Sequence, residues 1–195
     1  MSTRPVPPVK PTSEAALGGR EHLTEEEVEA LIRAAGSVGR HRHRDSTMIL
    51  VAYRRGFRVS ELVGLRREHY DASRKTLMIR RLKGSKSGTH ELSRREVTAI
   101  NRLLRSSDGP FIFANERGGK LTPNAFYKVV QRAGVRAGLA LPVHPHMLRH
   151  ACGFHIINEG HSTRVAQEHL GHRNIRHTER YTELCPERLG RVWDD

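Results

Sequence analysis

The sequence predicts a mainly helical α+β domain carrying a small antiparallel β-sheet. Capping signals followed by apolar residues at helical spacing recur along the chain, whereas strand signals are few, chiefly over residues 76–92, which favour two strands joined across a Gly/Ser/Lys turn. With 195 residues, 36% of them hydrophobic, the chain can bury one good core. It has no internal repeat at a solenoid period.

Residues 1–21 are rich in Pro, Ser and Gly and read as a flexible, weakly basic arm; the folded domain is expected over 22–185, with a C-terminal tail over 186–195. Thr24 and Glu27 form a capping box, and Val28, Leu31 and Ile32 give the apolar stripe of a helix that runs to about Ala35 and stops at Gly36. Met48, Ile49, Val51 and Ala52 mark a second helix from about Asp45 to Arg55. A short third helix from Ser60 to Leu65 puts Arg58 at a helix entrance. Thr76, Leu77, Met78 and Ile79 favour a strand reaching Leu82, which Thr89–Leu92 can pair with to make a basic hairpin. Ser93 and Glu96 are a second capping box, opening a helix through Leu104, and Phe111-Ile112-Phe113 is a short buried strand. Thr122 as cap with Pro123 at the first position starts a helix to about Gly138. Helices over Pro145–Asn158 and Ser162–Leu170 follow, ended near Gly160 and at Gly171, and the Tyr181 segment comes last.

Charge narrows the function. Thirty-four Lys and Arg against twenty-one Asp and Glu give +13, with a pI of about 10.8, the electrostatic footprint of a nucleic-acid binder. A membrane partner is not expected. There is no basic amphipathic helix with a Trp/Phe/Leu face, no signal-peptide core among the early prolines and no stretch long enough to span a bilayer. Cys152 and Cys185 lack the density of a disulfide scaffold, which points to a reducing cytoplasm. No Walker or Rossmann glycine pattern appears, so no nucleotide cofactor is expected. His144, His146, His150 and Cys152 lie close together, but without the paired spacing of a zinc finger, and no metal is expected. His41 and His43 read as an exposed basic run.

The chemistry-bearing residues sit late in the chain. His146, Arg149, His172 and Tyr181 offer imidazoles, a guanidinium and a phenol, and Arg58 in Gly56-Phe57-Arg58-Val59-Ser60-Glu61-Leu62 adds a second guanidinium. Such a set suits attack on a phosphodiester: a tyrosine nucleophile splits one hard displacement into two and keeps the energy of the broken bond. On a helix from Pro145, positions 146, 149, 150 and 153 share a face left available, while Leu148, Cys152 and Ile156 define a buried one. His146 and Arg149 can then grip one phosphate. Taken alone, the pair is equally consistent with a merely solvated basic helix.

Taken together these motifs resemble the tyrosine recombinases of the phage integrase family: the Arg58 motif, His146-Met147-Leu148-Arg149-His150, Leu170-Gly171-His172 and Tyr181, in that order and with fitting gaps. Arg81-Leu82-Lys83, Thr89-His90 and Gly171-His172-Arg173-Asn174-Ile175-Arg176-His177-Thr178 further resemble the short recombinases that invert fimbrial promoter switches. The resemblance implies the DNA breaking-rejoining fold. It also implies Tyr181 as the nucleophile that becomes linked to a DNA 3′ end, Arg58 and Arg149 on the non-bridging oxygens, and His172 as a further donor there. By the same resemblance His146 is the general base and Lys83 the acid for the leaving 5′ oxygen, with Lys86 as the alternative. Expected partners are double-stranded DNA with paired recombination sites, a tetramer on that DNA and an accessory DNA-bending protein, in the cytoplasm on the nucleoid.

Many family members have an N-terminal helical domain closing over the far side of the duplex, which the arm over 1–21 does not supply. The family often docks a C-terminal segment on a neighbouring subunit, and Leu189, Val192 and Trp193 give the tail an apolar plug for that or for its own core. Two other functions fit the motifs: a type IB topoisomerase relaxing a single duplex, and a DNA-binding regulator that has lost catalysis. The complete residue set argues against the regulator.

Overall fold

A computed structural model describes residues 20–81, 87–106, 108–179 and 181. Most of the arm, the lysines at 83 and 86, Cys185 and the tail over 186–195 lie outside the described residues.

The capping boxes form as expected. Thr24 Oγ1 accepts from the Glu27 amide at 3.3 Å while the Glu27 carboxylate accepts from the Thr24 amide at 2.9 Å, opening α1 (Glu25–Ser37). Gly36 does not stop it. The helix continues to Ser37, and the left-handed turn falls at Gly39, with φ 110°. The next helix, α2 (Arg42–Arg55), starts earlier than expected, because Asp45 lies in its first turn and His41 takes the cap position. This corrects the reading of His41 and His43 as an exposed run. His41 pairs with Glu116 at 3.1 Å and His43 bonds the Ala99 carbonyl at 3.0 Å, so both are half-buried.

Helix α2 ends at Gly56, whose φ of 58° only glycine adopts cheaply, and Arg58 then caps the short α3 (Val59–Val63). After a single 3₁₀ turn (Arg67–His69), β1 (Tyr70–Asp71), β2 (Thr76–Ile79) and β3 (Gly88–Glu91) form an antiparallel sheet in that order. The expected hairpin is β2 with β3, Leu77 opposite His90 and Met78 opposite Thr89. Two-residue β1 is too short to leave a periodicity. Leu77 and Ile79 turn inward and Met78 outward, the alternation a sheet covered on one face requires.

Ser93 caps α4 (Arg94–Arg105) with its own box, and Thr122 caps α5 (Pro123–Arg136). Between them Phe111–Phe113 forms no strand. Phe111 makes one bridge to Arg66 and Ala114 one to Lys120, yet Ile112 and Phe113 are buried, since these apolar residues are needed by the core even where no neighbouring strand can pair with them. The chain closes with α6 (Pro145–Asn158), α7 (Thr163–Leu170) and α8 (Arg176–Glu179).

Helices α1, α2 and α6 pack in succession, with α5 against α1, α4 against α2 and α7 against α6. Leu31, Met48, Ile49, Phe126, Leu148 and Ile157 fill the space between them. Because α6 is central, it is buried on nearly every side. This overturns the expectation of an available face: Arg149, His150 and Gly153 are as enclosed as Leu148, Cys152 and Ile156.

Gly56 is also where α2 meets α7. A Cβ built there would lie 2.3 Å from Leu170 Cδ2. Gly56→Ala is therefore expected to destabilise the fold by at least about 2 kcal/mol, combining a left-handed backbone with an overpacked contact, as measured by urea unfolding.

Candidate active site

Two helices end at the same place. The C-terminal carbonyls of α2 and of α7 have no partners within their own helices and converge on a pair of buried guanidiniums. Arg149, from α6, donates from Nη1 to the Gly56 carbonyl and from Nη2 to the Leu170 carbonyl at 2.9 Å. Arg81, just beyond β2, donates to the carbonyls of His169 at 2.7 Å, Arg55 at 3.3 Å and Gly56 at 3.5 Å. Gly171 lets the chain turn there with φ 67°, and its missing side chain leaves room for Arg81, whose Nε would lie 2.9 Å from a Cβ.

A third guanidinium completes the cluster. Glu61 is buried on α3; its Oε1 accepts from Arg58 Nη1 at 2.9 Å, and its Oε2 from the Arg58 amide at 3.0 Å and Arg81 Nη1 at 2.9 Å. Burial pushes the Glu61 carboxyl up, but the bonds from Arg58 and Arg81 outweigh it and hold the group below the usual carboxylate range. Arg58 is the open member, its side chain 37% exposed against 1% for Arg81. Burial, then the charges of Arg58 and Arg81, lower the Arg149 guanidinium to about 10, so it stays protonated at neutral pH. Among the described residues, Arg58 and Arg81 share the Glu61 carboxylate and Arg149 is held by carbonyls alone, three guanidiniums to one carboxylate. Two positive charges are left over, which makes the spot an anion site with one exposed donor group.

The phenol lies beside it. The Tyr181 amide bonds the Thr178 carbonyl at 3.0 Å in the turn after α8, and Thr178 Oγ1 is 2.9 Å from His172 Nδ1. The His172 and Tyr181 rings are stacked, centroids 6.4 Å apart and 17° from parallel. Tyr181 is 1% exposed; its hydroxyl is 3.2 Å from His150 Nδ1, and its ring meets Phe154 edge-on at 5.1 Å. Gly153 makes the niche, since a Cβ there would lie 2.5 Å from the ring. His146 is exposed at the start of α6 and sits edge-on to His150 at 4.4 Å.

Of the residues singled out by sequence, Arg58, Arg149, His172 and Tyr181 thus gather around one region, with His146 one ring removed through His150; Lys83 lies outside the described residues. Sequence reasoning gave no role to Glu61, Arg81, His150 or Gly153. Glu61 was the most findable, because Arg58 and Glu61 repeat the three-residue spacing of the Thr24–Glu27 and Ser93–Glu96 boxes. Arg81 continues the inward positions of Leu77 and Ile79, whereas Arg80 falls on the outward side, a signal that the strand alternation carries. Among the described residues no three His, Cys, Asp or Glu side chains converge as metal ligands, and no helix is long and apolar enough to cross a membrane.

Arginines, histidines and one tyrosine assembled on this helical scaffold are the attributes of a tyrosine recombinase. The chain belongs to the Phage integrase family, whose model matches residues 21–188. It is 41% identical over 181 residues to the type 1 fimbriae regulatory protein FimB of Escherichia coli (strain K12), covering 90% of each chain. FimE of the same strain is 39% identical over 184 residues, covering 90% of this chain and 91% of that one. The crystal structure of XerA recombinase superposes with a TM-score of 0.77 at 26% identity, covering 96% of this chain and 65% of that one. XerH site-specific recombinase bound to its difH substrate shares the fold, with a TM-score of 0.74 at 24% identity over 90% of this chain and 53% of that one. The chain thus spans nearly the whole of its fimbrial relatives but two thirds or less of the Xer structures.

Behind the arginine cluster, His90 and His169 stand edge to face at 4.8 Å. Burial lowers them to about 3 and about 4, aided for His90 by the charges of His169 and two arginines and for His169 by three arginines, although a bond to the Arg54 carbonyl opposes this for His169. Both are therefore neutral when folded. An unfolded histidine takes up a proton near pH 6.5 that the folded pair refuses, so their contribution is complete above that value and is lost as pH falls. The melting temperature is expected to drop from about pH 7 to about pH 4.5, and to drop less steeply in His90→Gln, as followed by circular dichroism.

Proposed function

We propose that the protein is a site-specific DNA recombinase that cuts and rejoins strands through a 3′-phosphotyrosyl intermediate, inverting, integrating or excising the segment between paired sites. One observation carries the reading: Arg58, Arg149, His172 and Tyr181, spread over more than a hundred positions, gather about a spot with unbalanced positive charge. Similarity to the fimbrial regulators over nearly their full length supports the same reading.

In the proposed reaction the Tyr181 oxygen attacks the scissile phosphorus. The P–O5′ bond breaks as the P–O(Tyr) bond forms, the phenolic proton passes to His146, and Lys83 protonates the departing 5′ oxygen. Negative charge grows on the non-bridging oxygens. Arg58 meets it with a guanidinium fork, Arg149 supplies charge from just behind, and His172 adds a hydrogen bond. A 5′ hydroxyl from a partner strand reverses the steps, so rejoining needs no external energy. Tyr181 is 1% exposed, so in the proposed reaction its hydroxyl moves outward to reach the phosphate. We further propose a tetramer on two sites and a DNA-bending helper, working in the cytoplasm on the nucleoid.

On a nicked suicide duplex carrying its recombination site, the wild type is expected to form a covalent protein–DNA adduct. Tyr181→Phe is expected to bind that DNA and form none; an adduct in the variant would remove Tyr181 as nucleophile. Arg58→Lys keeps a charge but loses the fork, and adduct formation should fall at least about a hundredfold, read from single-turnover gels. For the proton donor, Lys83→Ala should be slow on ordinary DNA and recover when the scissile 5′ oxygen is replaced by sulfur. Recovery with Lys86→Ala instead would transfer the role to Lys86.

A further inference from the structure

We propose that Arg81 is a positioning residue for the phosphate site, setting the guanidinium of Arg58 through the carboxylate they share. The inference rests on the recombinase reading. Arg81 does not meet the DNA itself, its side chain being only 1% exposed. It acts instead on three segments that do the chemistry. Its Nη1 bonds Glu61 Oε2 at 2.9 Å, the oxygen that also receives the Arg58 amide at 3.0 Å. Its Nη2 bonds the His169 carbonyl at 2.7 Å, three residues before His172. Its backbone amide donates to Ser87 Oγ at 3.0 Å, tying the chain just after β2 to the chain just before β3.

Electrostatics gives the mechanism. With Arg81 in place, Glu61 divides its charge between two guanidiniums, so Arg58 is oriented by the carboxylate without being neutralised by it. Without Arg81, Oε2 loses its donor from that side chain and more of the carboxylate charge falls on Arg58. The cluster's excess drops from two positive charges to one, and Arg58 is drawn toward Glu61 and away from an incoming phosphate. The buried carbonyls of Arg55 and His169 also lose a donor. A lysine at this position restores the charge but has no planar fork with which to span Glu61 and the carbonyls.

The test uses the full chain, with Arg81→Met to remove the charge at similar bulk and Arg81→Lys to keep it. Two readouts are compared with the wild type: the Nε–Hε nuclear magnetic resonance signal of Arg58 in the DNA-free protein, and adduct formation on suicide duplexes with a natural or a methylphosphonate scissile linkage. The methylphosphonate removes one negative charge from the group that Arg58 faces. In Arg81→Met the Arg58 signal should shift, DNA binding should stay within about twofold, and cleavage of the natural linkage should fall about tenfold or more. That deficit should shrink to about twofold or less on the methylphosphonate, where less charge needs meeting. Arg81→Lys should be intermediate, and it carries the test if the methionine variant does not fold. An unmoved Arg58 signal with equal losses on both linkages would make Arg81 a structural residue only and overturn the proposal. Wild-type cleavage in every variant would overturn it too. Should the wild type itself form no adduct, the recombinase reading fails, while the Arg58 signal still decides whether Arg81 positions it.

Discussion

The molecule is organised around the meeting of two helix C-termini. Each such end presents carbonyls with no helical partner and carries partial negative charge. When the ends of α2 and α7 are brought together inside a domain, that charge must be met without water. Arg149 and Arg81 meet it, each bonding one carbonyl or more from either helix. Gly56 and Gly171 make the approach possible, by left-handed turns and by leaving out side chains that would strike Leu170 and Arg81. The segments that carry Arg58 and His172 follow directly from this junction. Arg58 lies two residues beyond Gly56, and His172 is next to Gly171.

The same junction explains how so basic a cluster is tolerated in a folded core. Buried guanidiniums are expensive unless their donors are used, and here helix ends and one carboxylate use them. The balance still leaves excess positive charge, expressed at the one arginine that reaches solvent. Stability and anion recognition are therefore not separate demands on these residues. The helix ends hold the arginines that a phosphate would need, and they hold them before any phosphate arrives.

Much of this was legible in the sequence. Capping boxes at Thr24 and Ser93, the Thr122-Pro123 start and the Gly171 stop located four helices, because each signal is a local hydrogen bond or backbone conformation. The β2–β3 hairpin was legible for the same reason. Readings failed where tertiary packing decided. Helix α6 carries His and Arg at spacings that suggest an open face, yet its central position buries Arg149 and His150 and leaves His146 exposed. Phe111–Phe113 looks like a strand but has no neighbour to pair with beyond one bridge. In the site, residues bearing recognisable chemistry were found, whereas Glu61, Arg81 and Gly153 were not. Their importance lies in what they touch: a carboxylate between arginines, a guanidinium between helix ends and a gap shaped for a ring.

The junction also contains a thiol. Cys152 Sγ lies 3.3 Å from where a Gly56 side chain would begin and 3.8 Å from the Arg54 carbonyl, and burial pushes its ionisation up to about 12. A thiol that cannot form its thiolate does not react with alkylating reagents while the helices stay together. It becomes reactive only when α2 and α6 separate enough to admit water and reagent. The rate at which Cys152 is alkylated is therefore a clock for spontaneous opening of the domain at the junction of its two helix ends.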